Sequence, residues 1–173
     1  MRMDTRVPPP TSRIRFRTYR LSDVSAVEEM FSDPEARRFY PEMVDQQASE
    51  AWIRWNRDSY ESVGCGLWVI EDAETGEFLG DCGLTYQNVE GERLLELGYH
   101  LCSAHRGNGY ATEAGQACID FVFDKLGAKL VCSIVNPDNQ PSIGVSQRLH
   151  DSSRTFDGAN RDMLLFWTEQ PST

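Results

Sequence analysis

Residues 105–113 read HRGNGYATE. Two glycines flank an Asn, an Arg stands before them, and an Ala-Thr-Glu run follows. Ala114, Ala117, Cys118, Phe121 and Val122 then recur at helical spacing, so a helix is expected from Tyr110 to Leu126. Glycine adopts left-handed backbone angles at no steric cost and lets a chain come close to a ligand. A helix start presents unpaired N–H groups and a partial positive charge. Together with the forked cation of Arg106, this reads as a cradle for a phosphate or pyrophosphate. A nucleotide P-loop is excluded, because no Gly-Lys-Ser/Thr follows. A dinucleotide fingerprint is matched at Gly107 and Gly109 but has Thr112 where its third glycine belongs. An acyl-CoA site and a plain chain turn remain open at this point.

Upstream of the loop, Leu94 to Leu101 alternates. Leu95, Leu97, Tyr99 and Leu101 share one face of a strand, and Glu96, Gly98 and His100 the other. Downstream, KLVCSIV is a buried strand, and NPDNQPS is a turn with Asn139 as N-cap of a helix that carries Ser142 in its first turn. SRTF and DMLLFWTE read as two last strands. Towards the N-terminus, Ile14 to Tyr19 alternates as a strand. Ser22 or Asp23 caps a helix, and ARRFYPEM is a link or short helix. Asp45 caps a second helix whose apolar face is read as Ala48, Ala51, Trp52 and Trp55. GLWVIE and EFLGDCGLTYQ form two strands around the turn DAETGE. The order β-α-α-β-β-β-α-β-α-β-β is a mixed α/β (α+β) domain.

A chain of 173 residues with 40% hydrophobic and 25% charged residues fits one core and one domain. Residues 1–12, with PPP at their end, are expected to form a basic, disordered arm, and residues 13–170 the domain. The net charge of −10 is uneven: the first 20 residues carry six Arg against one Asp, so the rest is more acidic still. That charge argues against nucleic-acid binding and favours a cationic partner. No apolar run approaches the roughly 20 residues of a membrane span. The five Cys lack metal or disulfide spacing and fit structural thiols in a reducing cytoplasm, with no metal site expected.

The glycine loop is not alone. Arg106-Gly107-Asn108-Gly109-Tyr110-Ala111 resembles the Gln/Arg-x-x-Gly-x-Gly/Ala pyrophosphate motif of the GNAT superfamily, the acyl-CoA-dependent N-acetyltransferases. Asn139, Ser142 and Arg148 resemble the Asn-x-x-Ser helix and its following basic residue in the RimJ/RimL-like branch, which includes the ribosomal-protein alanine N-acetyltransferases. LELGYHL resembles the strand that holds the pantetheine arm. The likeness spans residues 13 to 168. It departs at His150, where the family commonly has Gly, and in the short segment HDSSRTFDGAN.

The resemblance implies a GNAT-like acyl-CoA N-acyltransferase fold: a central, mostly antiparallel twisted sheet flanked by helices. It implies acetyl transfer from acetyl-CoA to a primary amine by direct attack, on a small molecule or a peptide N-terminus, with no metal. A catalytically weak or inactive acyl-CoA-binding sensor of the same fold is the alternative, and homodimers occur in the family. The CoA-binding residues implied are Leu101, Arg106, Gly107, Asn108, Gly109, Tyr110, Ala111, Thr112, Asn139 and Ser142. Glu96 is the candidate base, directly or through water, and Ser142 the candidate partner of the departing thiolate. Tyr110 is a second acid candidate, and a backbone N–H between Tyr99 and Leu101 is the oxyanion donor. Phe39 and Tyr40 are placed in the acceptor pocket. His100 has the chemistry of a base but is read as exposed.

Overall fold

The computed structural model describes residues 6–172. Its elements run β1 (Ile14–Arg17), α1 (Val24–Met30), α2 (Pro34–Phe39), α3 (Gln46–Val63), β2 (Leu67–Asp72), β3 (Phe78–Val89) and β4 (Glu92–Leu101). They continue as α4 (Tyr110–Lys125), β5 (Leu130–Val135), α5 (Gln140–Leu149), β6 (Ser152–Asp157) and β7 (Asp162–Glu169). The seven strands form one open sheet in the order β1-β2-β3-β4-β5-β7-β6. Every neighbouring pair is antiparallel except β4 and β5, which run parallel and share the single register pair Glu96–Cys132. The two halves of the sheet therefore meet at one point and splay apart on either side of it.

Alternation decides the faces. Phe16, Trp68, Ile70, Leu84, Leu95 and Leu97 pack beneath α4 through Ala114, Cys118, Ile119 and Val122. Burying each large apolar side chain of this kind contributes roughly 1.5–3 kcal/mol. The opposite face receives α1, α2 and α3, with Val27, Met30, Phe31, Ala36 and Ile53 against Val69 and Tyr19. A smaller cluster of Val89, Cys132 and Leu165 lies under the β5-β7-β6 half. All five cysteines are buried and unpaired, with the Sγ atoms of Cys82 and Cys118 3.7 Å apart.

Several expectations change in detail. The link or short helix read at ARRFYPEM is a helix that starts earlier: Asp33 caps α2, accepting from the amides of Glu35 and Ala36, with Pro34 in the first turn. The buried stripe of α3 is Ser49, Ile53 and Asn56 rather than the alanines and tryptophans. Asn56 is buried because its side chain accepts from the Leu67 amide at 2.8 Å and donates to the Trp52 carbonyl, joining α3 to the start of β2. Ala51 and Trp55 face outward. Of the basic arm, residues 1–5 lie outside the described residues. Pro8 is buried, and Val7 packs against the main core.

Candidate active site

Both loop glycines are left-handed, Gly107 at φ 78° and Gly109 at φ 81°. No atom lies within 4 Å of where a Cβ on Gly107 would sit. The position therefore demands glycine for its backbone angle, not for space. Gly109 is the N-cap of α4 and has no side chain to cap it. The first-turn amides of a 16-residue helix are thus left for an external anion. Asn108 turns inward and donates from its amide to the carbonyls of His105 and Arg106, fixing the loop.

Sequence reasoning missed the second cation at this loop. Arg13 donates to Glu113 and to the Asn108 carbonyl at 3.0 Å and lies 4.6 Å over the Tyr110 ring. Thr11 donates to the same Glu113 at 2.6 Å. Burial alone would raise the Glu113 carboxyl, but these donors hold it below its ordinary value. Arg106, read as the phosphate cation, has a protein partner as well: its guanidinium is bidentate on Asp33 at 2.9 and 2.8 Å, with Glu35 at 3.6 Å. The Arg106 hydrogen bonds pull the Asp33 carboxyl down, and Asp33 pushes Arg106 up. Arg148, by contrast, lines the same cavity with no ion pair among the described residues.

The cavity holds about 1090 Å³ and runs from this loop to the tip of α2. Leu101, the loop from Arg106 to Thr112, Asn139 and Ser142 all line it, as do Phe39 and Tyr40. The sequence-predicted binding residues are therefore brought together. Asn139 caps α5, its Oδ1 accepting from the Ser142 amide at 3.2 Å. The Tyr99 hydroxyl lies 2.9 Å from Ser142 Oγ, 3.0 Å from the Ser142 carbonyl and 3.0 Å from Ser146 Oγ. Burial raises the Tyr99 phenol, which keeps it protonated in that cluster.

Glu96 sits at the point where β4 and β5 part and is half-buried. It is not among the residues of the cavity wall. Burial pushes its carboxyl up to about 7, against the opposing pull of the Ile134 amide and of His100. A group poised there exchanges protons at neutral pH.

His100 is not the exposed side chain the sequence implied. Only 11% of it is exposed. Its ring packs against Phe31, Tyr40 and Trp52 at centroid distances of 5.3, 4.8 and 5.3 Å. Its Nδ1 lies 2.6 Å from Oδ1 of Asp81, which is fully buried directly across on β3. The other Asp81 oxygen accepts from Tyr19 Oη at 2.7 Å and Trp52 Nε1 at 3.1 Å. Trp52 thus supports this site as well as the core.

His150 resolves the C-terminal departure. It leaves α5 in extended conformation at φ −118°, so no left-handed residue is needed. Its Nε2 lies 2.9 Å from Ser133 Oγ, which donates to the Leu97 carbonyl at 3.0 Å. Burial lowers this imidazole to about 4. Among the described residues, no group of three or more His, Cys, Asp or Glu is arranged to hold a metal ion, and no helix is long and apolar enough to cross a membrane.

Comparison with known proteins agrees with this architecture. The acetyltransferase (GNAT) domain family matches residues 13–150. The uncharacterised protein YkkB of Bacillus subtilis is 34% identical over 148 residues, 85% of this chain and 86% of its own. The crystal structure of an acetyltransferase from Agrobacterium tumefaciens superposes with a TM-score of 0.82 at 25% identity, covering 95% of each chain. RimL, a ribosomal alpha-N-protein acetyltransferase solved in complex with coenzyme A, shares the fold at a TM-score of 0.78 and 16% identity, over 93% of this chain and 96% of its own. A glycine-loop cradle beside a splayed sheet, matched along most of its length by this family, makes the chain a GNAT acetyltransferase whose structural neighbours include the RimL-type enzymes.

Proposed function

We propose that this enzyme transfers an acetyl group from acetyl-CoA to a primary amine, carried by a small molecule or a peptide N-terminus. The observation that carries the reading is the pair of left-handed glycines that leaves the α4 amides uncapped at the mouth of a cavity about 1090 Å³ in volume. The neighbouring fold in RimL binds coenzyme A. In this reading the α4 first turn holds the pyrophosphate, and Arg148, which makes no ion pair among the described residues, supplies a cation. Leu101, Asn139 and Ser142 line the way to the splay. The acceptor enters at the far end, between Phe39 and Tyr40. A chain of net charge −10 attracts an amine in its cationic form.

Attack by the amine lone pair on the thioester carbonyl forms the C–N bond, and the C–S bond then breaks. Backbone amides of β4 between Tyr99 and Leu101 stabilise the oxyanion. Glu96, titrating near neutrality and set back from the cavity wall, takes through a bridging water the proton that the new C–N bond makes acidic. The Ser142 hydroxyl, in the Tyr99–Ser146 cluster, donates a hydrogen bond to the departing thiolate.

The test is thiol release from acetyl-CoA with a panel of N-terminal peptides, polyamines, aminoglycosides and simple amines. Release with one class establishes the activity and names the acceptor. No release across the panel, with coenzyme A still raising the melting temperature, favours an acyl-CoA-binding sensor instead.

A further inference from the structure

An amine that arrives as an ammonium sheds two protons on its way to an amide. One leaves before attack, because the lone pair is otherwise occupied. The other leaves after attack, when the nitrogen carries a positive charge. One proton ends on the coenzyme A thiol and one in solvent. Glu96, once it holds the first, cannot take the second until it is emptied. Resting on the acetyl-transfer reading, we propose that the Asp81–His100 dyad removes the first proton, His100 acting as the base that meets the ammonium and Asp81 as its positioning residue.

Three observations carry this. The first is direction. A buried carboxylate only accepts, so the 2.6 Å contact with Asp81 places the hydrogen on Nδ1 of His100. The lone pair is then on Nε2, for which no hydrogen bond is found among the described residues, and His100, its side chain still partly exposed, is among the residues that line the cavity. The second is rigidity. Three aromatic rings pack around the imidazole, and a ring flip would break the Asp81 contact.

The third is charge. Asp81 is wholly buried, and both its other donors, Tyr19 and Trp52, are neutral. Among the described residues its ion pairing runs to His100 alone. A proton that reaches Nε2 therefore makes an imidazolium in contact with a buried counter-charge, the arrangement by which an Asp supports a His base elsewhere. The titratable groups around the dyad are Tyr40 beyond α2, against the ring, Tyr19 beyond β1, on Asp81, and Glu96 on β4, which feels the His100 charge. The step balances: the N–H bond of the ammonium breaks, its electron pair stays on nitrogen, and the proton bonds to Nε2. It passes to solvent through the open cavity after turnover.

The test has two arms. The chain has three histidines, so nitrogen NMR of histidine-labelled protein can resolve His100. The Nδ1–H tautomer is expected in the wild type and the Nε2–H tautomer in Asp81→Asn, whose amide would donate to Nδ1. An Nε2–H tautomer in the wild type overturns the proposal.

The kinetic arm uses His100→Gln, which retains an N–H for Asp81, with two acceptors. Benzylamine is an ammonium at neutral pH, and trifluoroethylamine is largely neutral there. With benzylamine kcat should fall roughly 10²-fold or more at unchanged KM for acetyl-CoA. With trifluoroethylamine the loss should be below about tenfold, whereas Glu96→Gln should slow both amines alike. Equal losses with both amines in His100→Gln, or none, overturn the proposal. Wild-type enzyme that releases no thiol with either amine or with any member of the wider panel refutes acetyl transfer itself, and the tautomer arm then decides the dyad alone.

Discussion

Replacing Glu96 by Gln should make the protein more stable above neutral pH while slowing the reaction. The folded carboxyl titrates near 7, against an ordinary 4.5, because burial penalises its charge. Between those values the folded chain binds more protons than the unfolded one. Stability therefore falls as pH rises from 4.5 to 7 and stays low above it. At about 1.4 kcal/mol per pH unit, the full penalty is about 3 kcal/mol. Gln carries no charge, and its carbonyl still accepts from the Ile134 amide, so the variant escapes the penalty. For a chain of this size each kcal/mol moves the melting temperature by about 2–4 °C, so the gain at pH 8 should be roughly 6–12 °C. At pH 4 the two proteins should melt together. Differential scanning fluorimetry of both proteins from pH 4 to 9, without coenzyme A, measures this directly. A difference that does not change with pH, or a variant less stable at pH 8, would refute the argument that Glu96 is held uncomfortably in the splay. The cost to stability at that position is what a group kept titratable at neutral pH requires.

His150 should show the opposite slope. Its folded imidazole is lowered to about 4 from 6.5, so stability is present above 6.5 and is lost as pH falls towards 4. His150→Gln should flatten that loss, read by the same melts. Gly109→Ala should destabilise the fold by about 1–2 kcal/mol, because an Ala at φ 81° is strained. It should also weaken coenzyme A binding in calorimetry; wild-type affinity and stability together would detach the loop from both roles. Gly83→Ala would put a Cβ 2.0 Å from the Gly66 carbonyl and 2.7 Å from the Leu67 Cα, forcing β2 and β3 apart. A loss of about 3 kcal/mol or more is expected by urea denaturation, and a soluble variant of unchanged midpoint would contradict that packing.

Much of this site can be read from the sequence because its signals are local. The period of two along Leu94–Leu101 separates Leu95 and Leu97 from Glu96 and His100. Left-handed glycines leave a mark, and so does Asn139 three residues before Ser142. What could not be read depends on partners far along the chain. Asp81 looks like any strand carboxylate until Tyr19, Trp52 and His100, at separations of 62, 29 and 19 residues, converge on it. The same holds for His100, whose burial is decided by helices α1 to α3 and not by its own strand. Trp52 and Trp55 share a helical spacing, yet one donates into the site and the other is 48% exposed. Periodicity reports a face, and only the assembled layers report what that face meets.

The ion pair between Arg106 and Asp33 joins residues 73 positions apart and belongs to both ends of the cavity at once. Asp33 is the cap of the helix that ends in Phe39, and Arg106 opens the glycine loop. In thermodynamic terms, if the loop holds the anion and α2 borders the acceptor as proposed, the two regions share one interaction and their affinities are linked. An anion that draws Arg106 away from Asp33 changes how firmly α2 is held, and an acceptor that tightens α2 changes by the same factor the affinity for that anion. Order of addition then ceases to be a purely kinetic property of the enzyme. It has an equilibrium counterpart, which a titration of one substrate in the presence of the other would express as a shift equal in both directions.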